Sequence, residues 1–410
     1  MNNKDGQRMT TERMTYCMGC MKAFPKGKDK RSTCPLCGFS LESYDRAPRC
    51  IRLGSILKER YLIGRVLGEG SFGITYIGRD MLLDQIVAIK EYFPINHVSR
   101  DMLEEESDTG NTVYVYAGDE DESYKNGLEK FYNEAKILAK FHGIAGVVSV
   151  INFFYANGTA YLVMEYVDGI TLKEYIKEHG PIAGERVLQM IHPVIKALSA
   201  IHKTGIIHRD ISPENIMVTA DLEVKIIDFG TAKYINNQKS QTLSVVLKPG
   251  YAPPEQYSTT SKQGAFTDVY ALASTFYYVL TGKKIPAAPD RLVNEDFVPL
   301  EDYDFLGEQY AGLTLVLKDA LRTSVKKRIQ TMEEFASRLK SFHSSITGQK
   351  SDSSFVHSEE RTVLDEGDGK KRDNKKIESS KKITRIYPYL EGKTDPIYGY
   401  RYYIPLNTMV

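Results

Sequence analysis

The sequence has no tryptophan, only five cysteines, no long apolar run and almost no net charge. Each shortage narrows the reading. Lys and Arg number 54 against 53 Asp and Glu, leaving +1 over 410 residues. Neither a globally basic nucleic-acid coat nor an acidic tail protein is expected from that balance. Four cysteines fall between Cys17 and Cys37 and the fifth is Cys50. A secreted disulfide scaffold spreads its thiols through the fold, so that class is disfavoured. No stretch offers the roughly eighteen uninterrupted apolar residues a bilayer crossing needs. The richest candidate, residues 143–167, is broken by Asn152, Asn157 and Gly158 and reads as two strands joined by a turn. Residues 1–13 are polar and lack the shape of a signal peptide. A soluble, cytoplasmic chain is expected, with no membrane partner.

What is present suffices for two or three domains, since 42% of residues are apolar. Residues 61–343 have ordinary globular composition. Residues 347–384 are dominated by Ser, Lys, Asp and Glu, too poor in apolar surface to offset ordering entropy, and are expected to be a disordered linker. Residues 385–410 form a tail bearing Tyr387, Tyr389, Tyr398, Tyr400, Tyr402 and Tyr403.

Near the start, Cys17-Met18-Gly19-Cys20 and Cys34-Pro35-Leu36-Cys37-Gly38 are two C-x-x-C pairs with thirteen residues between them. Two intervening residues let both thiolates of a pair face one ion from a tight turn, and Gly38 lets the backbone close round the second pair. Four thiolates suit the tetrahedral preference of structural Zn²⁺. A zinc ribbon over residues 14–42 is expected, folded by its metal because so short a segment buries too little to fold alone. A redox pair is the competing reading. Cys50 is left as a spare thiol. The ribbon's purpose, whether binding nucleic acid, protein or the rest of the chain, stays open, and a nucleic-acid partner is not expected.

Further on, Leu67-Gly68-Glu69-Gly70-Ser71-Phe72-Gly73 contains G-x-G-x-x-G. Dinucleotide-binding folds use the same spacing, but there a helix starts at the third glycine. Here Ile74-Thr75-Tyr76-Ile77 continues as β-branched and aromatic residues, so the loop is a turn between strands. Fourteen residues past Tyr76, the apolar strand Ile86-Val87-Ala88-Ile89 ends in Lys90. That order resembles the arrangement of protein kinases, in which the glycines would admit phosphates to backbone N–H groups and Lys90 would supply charge to the α- and β-phosphates.

The remaining motifs follow in sequence. Ile207-His208-Arg209-Asp210-Ile211-Ser212-Pro213-Glu214-Asn215 resembles a kinase catalytic loop and Asp228-Phe229-Gly230 the metal-binding D-F-G. Tyr251-Ala252-Pro253-Pro254-Glu255 resembles the A-P-E segment, with Asp268 as the core-helix aspartate and Arg328 as the late arginine that would pair with Glu255. Residues 61–343 thus resemble the eukaryotic-like (Hanks-type) serine/threonine protein kinases of bacteria. The resemblance implies an α+β, bilobal protein kinase fold preceded by the zinc ribbon. A small, mostly β lobe would cover about residues 61–166 and a large, mostly α lobe about 167–343. It also implies ATP and Mg²⁺ as cofactors and protein substrates. Asp210 would accept the substrate hydroxyl's hydrogen bond, Asn215 and Asp228 would hold Mg²⁺, and a helix glutamate would fix Lys90. Glu134 is chosen because Phe131, Ala135 and Leu138 mark an amphipathic helix round it, with Leu138 packing towards Phe229 and His208; Glu129 is the competitor. The nucleotide would lie among Leu67, Gly68, Gly70, Gly73, Thr75, Ala88 and Met217, against hinge residues Glu165, Tyr166 and Val167, with Met164 as gatekeeper.

Three departures from the family pattern matter. Ser212 stands where a lysine usually neutralises the γ-phosphate. Lys248, seven residues before Glu255, stands where serine/threonine kinases usually have a threonine. One reading is that the two positions have exchanged chemistry; the other is that Lys248 is a solvated loop residue. Second, 43 residues lie between Lys90 and Glu134. An insert over about residues 95–126 carries two acidic runs round Thr112-Val113-Tyr114-Val115-Tyr116, and either an added hairpin or a disordered stretch fits it. Third, Thr75 replaces the valine that commonly caps adenine. Ser240, Thr242 and Ser244 are candidate autophosphorylation sites, with Arg209 as partner for the phosphate. Thr362, three before Asp365, would suit a forkhead-associated reader once phosphorylated. A pseudokinase scaffold is the alternative function, and a small-molecule phosphotransferase is disfavoured by the complete Gly250-to-Glu255 segment.

Overall fold

In the computed structural model the described residues are 16–24, 33–100, 111–116, 120–182, 185–229, 233–234, 247–258 and 260–347. Ser240, Thr242, Ser244, Thr362 and Gly230 lie outside them, as do the 347–384 linker beyond its first residue and the whole tyrosine-bearing tail. The chain divides into two compact units, Met1–His343 and Ser344–Val410. Nearly all the described residues belong to the first; of the second, only the end of the last helix is among them.

A six-stranded antiparallel sheet forms the first lobe. Its strands are β1 (Ile56–Leu57), β2 (Tyr61–Gly70), β3 (Gly73–Asp80), β4 (Gln85–Tyr92), β7 (Val150–Ala156) and β8 (Thr159–Glu165), in the order β1-β2-β3-β4-β8-β7. Period-two alternation sets the faces of β4. Val87, Ile89 and Glu91 are buried on one side, while Ala88 and Lys90 turn to the other. Glu91 is a fully buried charge, and four donor contacts compensate it: Tyr76 Oη at 3.0 Å, Tyr161 Oη at 2.7 Å, and Arg100 Nη2 at 2.7 Å to each carboxylate oxygen. Arg100 comes from a small hairpin of β5 (Val98–Arg100) and β6 (Val113–Val115), paired Val98 to Val115 and Arg100 to Val113. Part of the insert is therefore a hairpin anchored by a buried ion pair beneath β4. Helix α1 (Glu120–Ala139) starts inside the second acidic run, so that run opens the helix instead of ending a loop. Its Phe131, Glu134, Ala135 and Leu138 are buried at helical spacing, against β7 and β8.

The second lobe is mostly helical: α2 (Leu172–His179), α3 (Glu185–Lys203), α4 (Ala265–Thr281), α5 (Ala288–Val293), α6 (Ala311–Ala320) and α7 (Met332–Thr347). Thr171 and Glu174 close a capping box on α2, their side chains each bonding the other's backbone N–H. Helix α4 is apolar nearly all round and buried on all sides, so it serves as the pillar of the lobe. Short strands β9 (Gly169–Thr171), β11 (Ile216–Thr219) and β12 (Val224–Ile226) form a second sheet, and β10 (Ile206–Ile207) pairs with β13 (Lys233–Tyr234). No helix among the described residues is long and apolar enough to cross a membrane.

Ahead of the sheet, the two cysteine pairs make matching turns. Met21 N–H donates to Cys17 O at 2.7 Å and Gly38 N–H to Cys34 O at 2.9 Å, and both donors have left-handed backbone, with φ of 56° and 73°. Glycine adopts that conformation freely; methionine adopts it at a cost of about 1 kcal/mol. Burial of the Met21 side chain offsets the cost, because it is fully covered against Leu62 of β2 and Ile77 of β3. The cysteine module is thus docked on the small lobe.

Candidate active site

Strand β4 delivers Lys90 to the cleft face of the sheet, and helix α1 delivers Glu134 to it. Lys90 Nζ lies 2.9 Å from Glu134 Oε1 and 3.2 Å from Asp228 Oδ1. Burial works against the ammonium, but Asp228 and Glu134 more than compensate and hold Lys90 above its ordinary pKa, fully charged. Glu134, not Glu129, is the glutamate at this position. Thr75 and Lys90 are cross-strand partners, as are Ala88 and Met164, which places the expected nucleotide contacts on one face. Met217 is half-buried between fully covered Ile216 and Val218, so it turns away from the core that holds them. Glu165 is fastened at the hinge by Ser149 N–H at 2.9 Å and Lys225 Nζ at 2.7 Å, and Val167 accepts the Gly169 N–H.

The catalytic-loop motif is hung from helix α4. Asp268, fully buried, accepts the backbone N–H groups of His208 and Arg209, each at 2.8 Å, and contacts His202 Nε2 at 2.7 Å. Burial alone would raise its pKa, but the His202 contact and these donors hold the carboxyl below its ordinary range. Arg209 and Asp228 both take left-handed backbone, φ 71° and 62°. Such conformations in non-glycine residues cost energy and gather at functional sites. Phe229, next to Asp228, packs its ring 4.5 Å from His208 and 5.9 Å from Phe141, just beyond α1.

Asp210 is the focus of the polar contacts. Asn215 Nδ2 donates to its Oδ2 at 2.8 Å and to its carbonyl at 2.7 Å. Lys248 Nζ stands 3.1 Å from Asp210 Oδ1, donates to Ser212 Oγ at 3.0 Å and lies 3.6 Å from Glu214. Burial raises the pKa of Asp210, and Lys248 is the chief influence pulling it back. Ser212 is fully buried. Lys248 is therefore no solvated loop residue: its ammonium occupies the space above Ser212, between two carboxylates. Sequence reading left out Glu214 and Lys173, which pair at 2.5 Å and carry the Lys248 contact outward, and Gln256, whose Nε2 donates to Arg209 O at 2.8 Å. Glu214 sits inside the catalytic-loop motif and was findable there; Gln256 carried no such signal.

Below the site, Glu255 and Arg328 form a doubly bonded pair at 2.6 and 3.0 Å, buried on both sides and joined by Thr267 Oγ1 at 3.1 Å. At the other end of the chain, the Sγ atoms of Cys17, Cys20, Cys34 and Cys37 all lie within 4.8 Å of one another, and Cys17 and Cys37 are 3.7 Å apart. A tetrahedron with metal–sulfur bonds of about 2.3 Å has edges of about 3.8 Å, so this group can hold a metal ion. Cys50 is not part of it; burial pushes its thiol up to about 11.

A bilobal fold that brings a strand lysine, a helix glutamate and three loop carboxyl and amide groups to one cleft defines a protein kinase. The protein kinase domain family matches residues 61–338, and the chain belongs to that family, in its Hanks-type bacterial branch. The serine/threonine-protein kinase PknB of Mycobacterium tuberculosis is 31% identical over 303 residues, 70% of this chain and 44% of that protein. PknB of Mycolicibacterium smegmatis is 33% identical over 234 residues, 55% of this chain and 33% of that one. A solved structure, PpkA-294 in its apo form, shares 31% identity with a TM-score of 0.61, covering 71% of this chain and 99% of that chain. The chain spans less than half the length of the curated relatives it matches.

Proposed function

We propose that the protein is an active serine/threonine protein kinase that transfers the γ-phosphoryl of Mg·ATP to protein hydroxyls, using Lys248 as the cation its catalytic loop lacks. The observation that carries this is the placement of Lys248 Nζ, 3.1 Å from Asp210 and 3.0 Å from Ser212. Phosphoryl transfer asks the protein for positioning and for positive charge near the moving group. Lys90, held by Glu134, orients the α- and β-phosphates. Asp210 accepts the hydrogen bond of the substrate hydroxyl and is itself held by Asn215. Lys248 meets the γ-phosphate and Ser212 supplies the hydroxyl that elsewhere comes from threonine.

Mg²⁺ fits the donors present, since Asp228 offers a half-exposed carboxylate and Asn215, whose nitrogen faces Asp210, has an amide oxygen to give. When bound, it neutralises phosphate charge. Leu67, Gly68, Gly70, Gly73, Thr75, Ala88, Met164, Glu165, Val167 and Met217 frame the nucleotide. The four-cysteine group takes Zn²⁺ as a structural ion, and metal analysis of the purified chain is expected to find one zinc. Autophosphorylation at Ser240, Thr242 or Ser244, and reading of phosphorylated Thr362 by a forkhead-associated module, belong to the same proposal.

The test is label transfer from Mg·ATP to a generic basic protein, with Asp228→Ala alongside. Transfer that vanishes in the variant supports an active kinase. A wild-type chain that binds nucleotide but transfers nothing identifies a pseudokinase scaffold, the reading that Ser212 would favour if Lys248 did not stand in.

A further inference from the structure

Strand β2 carries the glycine loop, and its free edge should be open beyond its short pairing with β1. Instead that edge is occupied residue by residue. Ile56 and Leu62 pair as β1 meets β2, and Ser55 O accepts the Ile63 N–H at 2.8 Å. The pairing of β2 with β3 then slips twice, between Ile63 and Val66 and between Val66 and Gly68. Over this irregular stretch the donors find partners in the cysteine module and the segment after it. Arg65 N–H donates to Met18 O at 2.8 Å, Arg65 Nε to Gly19 O at 2.9 Å, and Val66 N–H to Tyr44 Oη at 3.0 Å. Tyr44 is seated against Phe39, ring centroids 5.2 Å apart, just past the second cysteine pair.

The last contact reaches the loop itself. Glu69, between the first two glycines, is gripped by Arg49, whose Nε stands 2.8 Å from Oε2, and by the fully buried Cys50, whose Sγ is 3.6 Å from Oε1. The segment is secured in turn: Ile51 N–H donates to Tyr76 Oη at 3.1 Å, and Arg49 O accepts Arg100 Nε of the insert hairpin at 2.9 Å. On the cleft face, Leu67 and hinge residue Tyr166 pack against the cluster of Met21, Leu62 and Ile77. Gly64 marks the closeness of the fit, since a Cβ there would lie 2.4 Å from Met18 O and 2.3 Å from Met21 Cε.

We infer that the cysteine module and residues 44–51 brace the phosphate loop, with Arg49 and Cys50 as positioning residues that act on nucleotide binding through Glu69. This rests on the kinase reading for what the loop binds, but not for the brace itself. Neither residue touches the cleft groups assigned above, so their effect falls on the loop's order and on nucleotide affinity, leaving the chemical step alone.

The test uses the full zinc-loaded chain in two measurements. Hydrogen exchange follows the peptide across residues 66–72 without nucleotide, and calorimetry gives Kd for Mg²⁺ with a non-hydrolysable ATP analogue. Arg49→Ala and Cys50→Ala are expected to speed loop exchange and weaken the analogue by about threefold each, the scale of a partly exposed ion pair or one hydrogen bond. Arg49→Lys and Cys50→Ser, which keep a donor, are expected to recover most of the loss. Gly64→Ala, which pushes the module off the edge without altering Arg49, should loosen the loop in the same way. Wild-type exchange and affinity in Arg49→Ala and Gly64→Ala would overturn the brace. A wild-type chain that fails to bind the analogue would overturn the nucleotide-site assignment, and the exchange data alone would then decide the brace.

Discussion

Replacing Lys248 by methionine keeps most of the stem and removes the ammonium. At 3.1 Å from Asp210, in an environment of effective dielectric about 20, the attraction lost is about 5 kcal/mol before desolvation is counted. Water reaches both groups, whose side chains are 24% and 23% exposed, and screens part of that attraction; the remainder acts on the pKa of Asp210. The sign follows from the structure: burial already raises Asp210 and Lys248 opposes that, so losing Lys248 raises it further. The base is then protonated to higher pH, and the acid limb of kcat/KM moves upward. Loss of a cation at the transferring group should also lower kcat by about 10²- to 10³-fold, the scale seen for one transition-state donor. The assay is steady-state transfer from Mg·ATP to a basic protein, repeated from about pH 5 to pH 9. Ser212→Ala, which removes a neutral hydroxyl, should cost only about fivefold. Wild-type kcat with an unmoved acid limb in Lys248→Met would refute the argument.

Three other predictions concern stability. Met21→Ala removes the fully covered side chain on which the cysteine module docks; a loss of about 2–5 kcal/mol is expected at that interface, read as faster zinc release to a chelator. Arg328→Ala strands the buried Glu255 carboxylate and should cost about 3–5 kcal/mol in urea unfolding, whereas a change under about 1 kcal/mol would contradict the pairing. His208 is fully buried, and burial pushes its pKa down to about 4. A depressed histidine contributes stability above its unfolded value near 6.5, lost as pH falls to about 4; roughly 3 kcal/mol is at stake. Denaturation midpoints should fall through that window in the wild type, and the His208-dependent part should be missing in His208→Phe.

Much of the site was legible because kinase chemistry fixes residue types at fixed spacings. The β-branched run after Gly73 distinguished a hairpin from a helix, and helical periodicity round Glu134 picked it over Glu129. Counting back from Glu255 singled out Lys248, whose Nζ stands 3.0 Å from the Oγ of Ser212, 36 positions earlier. Other features were invisible for physical reasons. The docking of Met21 depends on shape against Leu62 and Ile77, and nothing local in a C-x-x-C-Met string announces left-handed backbone at the methionine. Glu91 carried no signal of its own, since the arginine that neutralises it arrives from an insert of undecided structure. Cys50 read as spare because its partner, Glu69, lay inside a motif already assigned to phosphate.

The central claim, a working kinase whose catalytic cation has changed position, is tested most directly by moving the cation back. The double variant Ser212→Lys, Lys248→Thr restores the commoner arrangement, in which the loop supplies the lysine and the activation segment the hydroxyl. Transfer from Mg·ATP by the double variant within about tenfold of wild type, with Lys248→Thr alone at least about a hundredfold slower, is the expected result. A double variant as slow as Lys248→Thr, or a Lys248→Thr enzyme as fast as wild type, would contradict it.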